Sequence, residues 1–70
     1  MGQWPATKAR RALAALKRLG WSEARQSGSH RTLVRAGWRS FTFAWHDGEE
    51  IRPSMMKWLG AQTGLEPEDP

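Results

Sequence analysis

From residue 7 onward the apolar positions follow a helical rhythm. Ala9, Ala12, Leu13, Leu16 and Leu19 recur at steps of three and four on one face. Thr7 stands where an N-cap is expected, and Gly20 stops the pattern. With Gly20 just past the helix, Leu16 and Trp21 become the pair that meets across a Schellman cap. The other side of this helix presents Lys8, Arg11 and Arg18.

Beyond Gly20 the period changes from helical steps to alternation. Residues 21–27 read as a weak strand, Ser27 and Gly28 as a turn, and 30–35 as a second strand containing Leu33 and Val34. After the Gly37 turn, residues 39–46 alternate most cleanly, with Phe41, Phe43 and Trp45 set against Ser40, Thr42, Ala44 and His46. Asp47 and Gly48 end that strand. A second amphipathic helix after Pro53 places Met55, Trp58, Leu59 and Gln62 on one side, and Gly64 caps it. The pattern therefore predicts an α+β domain of order α-β-β-β-α. Its three-stranded antiparallel sheet carries both helices on the Phe41, Phe43 and Trp45 face and leaves the other face to water or a partner. A single domain over residues 1–70 is expected, with a core of about 7–65, a short lead-in over 1–6 and an acidic tail over 66–70.

Composition narrows this picture. A chain of 70 residues buries only about 60% of its unfolded surface, which leaves no room for a second core. Hydrophobic residues at 39% and charged residues at 26% suit a soluble globule, and the longest apolar run, from Ala12 to Leu16, is far short of the roughly 20 residues that span a bilayer. No apolar leader follows the polar N-terminus, so a cytoplasmic location is the expectation. The absence of Cys excludes disulfides and thiolate zinc sites. The formal charge is +4, but three of the seven acids (Glu66, Glu68 and Asp69) crowd the tail. Without the tail, eleven cations face four acids, a body of net +7 that suits a polyanion such as RNA.

Catalytic equipment is sparse. His30 and His46 are the two histidines, the residue type suited to acid/base work in cells, and no Ser/His/Asp set, phosphate-cradling Gly loop or metal-ligand spacing accompanies them. No cofactor or metal is expected. A hairpin loop of Gly37, Trp38 and Arg39 would pair Leu33 with Phe43, Arg31 with Trp45 and His30 with His46, so that both imidazoles address one phosphodiester from the open face. Such a site suits slow, metal-independent RNA cleavage: a His takes the proton of a ribose 2′-hydroxyl, that oxygen attacks the adjacent phosphate, and cations offset the developing charge.

Gly20 and Trp21, Arg25 and Gln26, the turn of Gly28, Ser29 and His30, His46, the run Glu50, Ile51, Arg52, Pro53, and the closing Thr63, Gly64, Leu65 together resemble the HicA family of messenger-RNA interferase toxins over about residues 8–65. The resemblance implies a fold similar to the double-stranded-RNA-binding domain, endoribonuclease activity dependent on His30, and neutralisation by a HicB-type antitoxin. The chain departs from many members in carrying Arg31, rather than a second His, after His30.

The expected site thus comprises His30 as the catalytic acid/base with His46 as its auxiliary, and Lys8, Arg11, Arg18, Arg25, Arg31, Trp38 and Arg39 as RNA contacts. Of the five Trp, Trp21, Trp45 and Trp58 fall at core-like positions, whereas Trp4 and Trp38 do not. Two other readings use the same residues: a non-catalytic module that holds double-stranded RNA, and a protein whose open sheet face and Trp38 serve an interface alone.

Overall fold

Four alanines and no β-branched residue favour helix over 9–18, and the structure, a computed structural model that describes residues 3–69, places α1 there (Ala9–Arg18). Met1 and Gly2 of the lead-in and Pro70 of the tail lie outside the described residues. Ala9, Ala12, Leu13, Ala15 and Leu16 turn inward. The helix ends as its sequence predicts. Gly20 takes φ 111°, Gly20 N–H donates to Lys17 O and Trp21 N–H to Leu16 O, both at 3.1 Å, which is the Schellman pattern.

Its start differs from expectation. The N-cap is Lys8, with no side-chain capping bond, while Thr7 is buried in the two-residue strand β1 (Thr7–Lys8) and its hydroxyl donates to Pro5 O. The first amides of α1 are satisfied from far along the chain: Ala9 N–H donates to Glu49 O at 2.8 Å and Arg10 N–H to Asp47 O at 3.3 Å. A distant loop therefore does the work that a local Thr usually does.

The main sheet is antiparallel with order β2 (Ser22–Ser27), β3 (His30–Val34), β4 (Phe41–Phe43). A tight hairpin joins the first two, with Ser27 opposite His30 and Gly28 at φ 60° in the first loop position. Across β3 and β4, Arg31 faces Phe43, Thr32 faces Thr42 and Leu33 faces Phe41. This register lies two residues from the expected one, because the connection is residues 35–40 rather than a three-residue loop. Trp38 explains the longer loop: it folds back edge-on to Trp21, ring centroids 6.0 Å apart, and covers Gly64. A shift of two preserves which side chains face inward. It nonetheless ends the strand at Phe43, so His46 lies outside the sheet and the expected His30–His46 pair does not form.

A short ladder of β1 with β5 (Glu50–Ile51) leads into α2 (Pro53–Thr63). Helix α2 buries Met56, Leu59, Gly60 and Thr63, so that of the expected stripe Leu59 faces the core while Met55, Trp58 and Gln62 do not. Met55 is 40% exposed and Trp58, expected in the core, is 48% exposed. Adjacent Met55, Met56, Trp58 and Leu59 make two faces of this helix almost equally apolar, and close approach chooses between them. A Cβ on Gly60 would stand 2.5 Å from the Trp4 ring and 2.7 Å from Leu65 O, so the glycine face is the one that fits. Trp4, half-buried, thereby joins the packing from the lead-in.

One core unites the layers: α1, Trp21, Leu33, Phe41, Phe43, Ile51, α2 and Leu65. Trp45 sits half-buried on its margin, edge-on to Phe43 with centroids 5.1 Å apart. The indole N–H of Trp21 donates to Thr63 O, and the Thr63 hydroxyl donates to Leu59 O at 2.7 Å, so a buried polar group at each end is satisfied. Among the described residues no helix is long and apolar enough to cross a membrane.

Candidate functional site

The two faces of the sheet divide the charged residues. Directly paired positions share a face, so Leu33, Phe41 and Phe43 carry Arg31 and Glu23 with them toward the helices. The pairs Arg25↔Thr32, Thr32↔Thr42 and Ser27↔His30 lie on the other, open face. Glu23 and Arg25 would share a side in a regular strand. The register shift between them inserts Ala24 as a bulge, which sends Glu23 inward and Arg25 outward.

Inward, the charges are consumed by one another. Glu23 Oε2 lies 3.2 Å from Lys17 Nζ on α1, and Glu23 Oε1 lies 3.1 Å from Arg31 Nε, an ion-pair contact without a hydrogen bond. Arg31 Nη1 donates to Asp47 Oδ1 at 3.0 Å. The Arg31 side chain is only 16% exposed and is held between two carboxylates. Expected to contact RNA, it instead ties β2 and β3 to the loop that caps α1.

That loop also explains His46. Its backbone N–H is bonded to Glu49 Oε1 and its carbonyl accepts from Glu49 N–H, both at 3.0 Å, which closes a turn over 46–49. Lys8 Nζ reaches Gly48 O at 3.3 Å on the same turn. The turn serves as an N-terminal plug for α1, with the exposed His46 at its start.

Outward, the groups are free. His30 and Arg25 are exposed on the open face, and neither side chain hydrogen-bonds within the protein among the described residues. The other expected RNA contacts scatter. Lys8, Arg11 and Arg18 belong to the helix layer, and Arg18 Nη2 donates to Asp69 O of the acidic tail at 3.1 Å. Trp38 is 43% exposed, with the Arg35 guanidinium 5.2 Å from its ring centroid. Arg39 lines a groove of about 240 Å³ with Phe41, Trp58 and Gln62 at the outer edge of β4. Sequence reasoning passed over Thr32 and Thr42 on the open face; their alternation with Leu33, Phe41 and Phe43 was the available signal. No group of three or more His, Asp or Glu side chains among the described residues is placed to hold a metal ion.

A family model described as the HicA toxin of bacterial toxin-antitoxin systems matches residues 9–65. The chain belongs to that family. No curated protein and no solved structure gives a significant match. Membership makes the chain a toxin of a toxin-antitoxin system, a class whose members generally degrade RNA and are held by a cognate antitoxin. The family-like residues separate into two kinds here. Gly20, Trp21, Thr63, Gly64 and Leu65 build the junction of the two helix ends, whereas Arg25 and His30 stand free on the open face.

Proposed function

We propose that the chain is an endoribonuclease toxin that cleaves messenger RNA without a metal ion, with His30 as its general acid/base, and that a HicB-type antitoxin neutralises it. The observation that carries this reading is the placement of His30. It is exposed at the start of β3, next to a two-residue turn, with Arg25 on the same face and no carboxylate paired with either among the described residues. Neutral imidazole accepts the 2′-hydroxyl proton, the O2′–P bond forms and the P–O5′ bond breaks. The departing O5′ takes a proton from solvent and the imidazolium returns its own to solvent, which leaves a 2′,3′-cyclic phosphate and a 5′-hydroxyl. The positive charge of Arg25, one row away on the same face, offsets part of the charge that builds on the phosphate. DNA lacks the nucleophile.

His46 is given no part in this step, since the observed register does not place it opposite His30. In-cell expression of wild type and His30→Ala, with RNA integrity followed in chelator, tests the reading: growth arrest and cyclic-phosphate ends are expected from wild type alone. Equal RNA decay from both proteins would falsify the role of His30.

A second reading draws on the helix layer. Lys8, Arg11 and Arg18 are exposed there, on the opposite side of the sheet from His30, as a non-catalytic module for duplex RNA would require. It predicts intact RNA after long incubation and duplex binding lost on Arg11→Gln but not on His30→Ala.

A further inference from the structure

We propose that Arg25, Thr32 and Thr42 form a nucleotide subsite that grips the ribose-phosphate next to the one cleaved at His30. The inference rests on the nuclease reading only for the word cleaved; the subsite itself is a binding claim.

The register places these three side chains in a row across the sheet, one per strand, Arg25 opposite Thr32 and Thr32 opposite Thr42. Neighbours in such a row have Cβ atoms about 4.5–5.5 Å apart. The row that holds His30 and Ser27 lies two residues further along β3 and β2, roughly 6.6 Å away at about 3.3 Å per residue. That offset is of the order of one phosphate step along an extended strand. A chain whose reacting phosphate sits at His30 therefore brings its neighbouring phosphate or ribose over the row.

The chemistry of the row suits that neighbour. A guanidinium binds phosphate oxygens through several N–H groups, and a Thr hydroxyl pairs with a ribose 2′-hydroxyl as donor or acceptor. Neither Thr hydroxyl nor the Arg25 guanidinium is used within the protein among the described residues. Among the described residues no acid stands on this face, because the bulge at Ala24 turns Glu23 inward. Among the described residues no Phe or Trp stands on it either: Phe41, Phe43 and the indole of Trp45 belong to the covered side, and the apolar exception is Val34, 37% exposed. The contacts the row offers are to ribose and phosphate, so the subsite takes ribose-phosphate of any sequence.

The test uses the full chain in the His30→Ala background, so that binding is read without cleavage, with a labelled ten-nucleotide single-stranded RNA and the DNA of the same sequence as probes. Arg25→Gln is expected to weaken both probes and to lower the slope of log affinity against log salt by about one. The pair T32V/T42V is expected to weaken RNA by about 3- to 30-fold while leaving DNA nearly unchanged, and T32S/T42S, which keeps both hydroxyls, to restore it. Unchanged RNA affinity in T32V/T42V, equal losses on RNA and DNA, or failure of the Ser pair to rescue would each overturn the subsite. RNA left intact by the wild-type chain as well would sink the nuclease reading and leave the binding result standing.

Discussion

Arg25 and Arg31 lie six residues apart on two strands of one hairpin and meet opposite fates. Arg31 faces the helices, is mostly covered and is held between Glu23 and Asp47; Arg25 faces solvent and holds nothing. One inserted residue separates them, since the bulge after Glu23 changes which side β2 presents. The contrast runs through the whole sheet. The covered face spends its charges on joining β2, β3, the 46–49 turn and α1, and the open face leaves His30, Arg25 and the Thr32 and Thr42 hydroxyls without partners among the described residues. Net basicity alone is thus a poor guide to where a polyanion binds, because half of a basic surface can be structural.

The contrast can be broken most sharply at His30. His30→Ala should reduce RNA cleavage by about 10² to 10⁴, the value of one acid/base group, and leave the unfolding midpoint in denaturant unchanged. Trp21→Ala should do the reverse. It removes a fully covered ring and its bond to Thr63 O, and about 3–5 kcal/mol of stability should be lost in equilibrium unfolding. Gly60→Ala carries a smaller cost. In an exposed helix the change would stabilise, but here the new Cβ meets Trp4 and Leu65 O, so a net loss of about 1–3 kcal/mol is expected in the same measurement.

Arg31→Gln sharpens the comparison with Arg25. It should cost about 1–2 kcal/mol, and amide exchange should accelerate at Ala9 and Arg10, whose acceptors sit in the turn that Arg31 anchors. Arg25→Gln should leave both stability and exchange unchanged while weakening RNA binding. Smallest of all is Trp58→Ser. Core placement would make it severe, whereas its observed exposure predicts a change within about 1 kcal/mol by thermal unfolding, the residual coming from its contact with Phe41 at 5.5 Å.

Much of the fold was legible where one residue type does one local job. Gly20 past a run of helical apolar steps predicted the cap and the inward Trp21, and the alternation of Phe41 and Phe43 predicted the covered face. The second helix was misread because its buried stripe is Met56, Leu59, Gly60 and Thr63. Two of those four residues are not strongly apolar, and they are inside for reasons of space and hydrogen bonding. The site was legible in part. His30 and Arg25 stand free as expected, while Arg31 is sequestered and the His30–His46 pairing dissolves with the longer loop.

The sequence by itself determined the α+β class, the family, the caps built from Gly20 and Gly64, and the exposure of His30 after a two-residue turn. These follow from local conformational limits and from side-chain periods that survive a two-residue slip of register. The tertiary structure decided which arginine is free, which face of α2 is buried and what caps α1. Each of those depends on contacts between segments far apart in the chain: Glu49 and Asp47 with the start of α1, Trp4 with Gly60, and Trp38 with Trp21 and Gly64. Spacing along one segment carries no information about such partners until the layers close on one another.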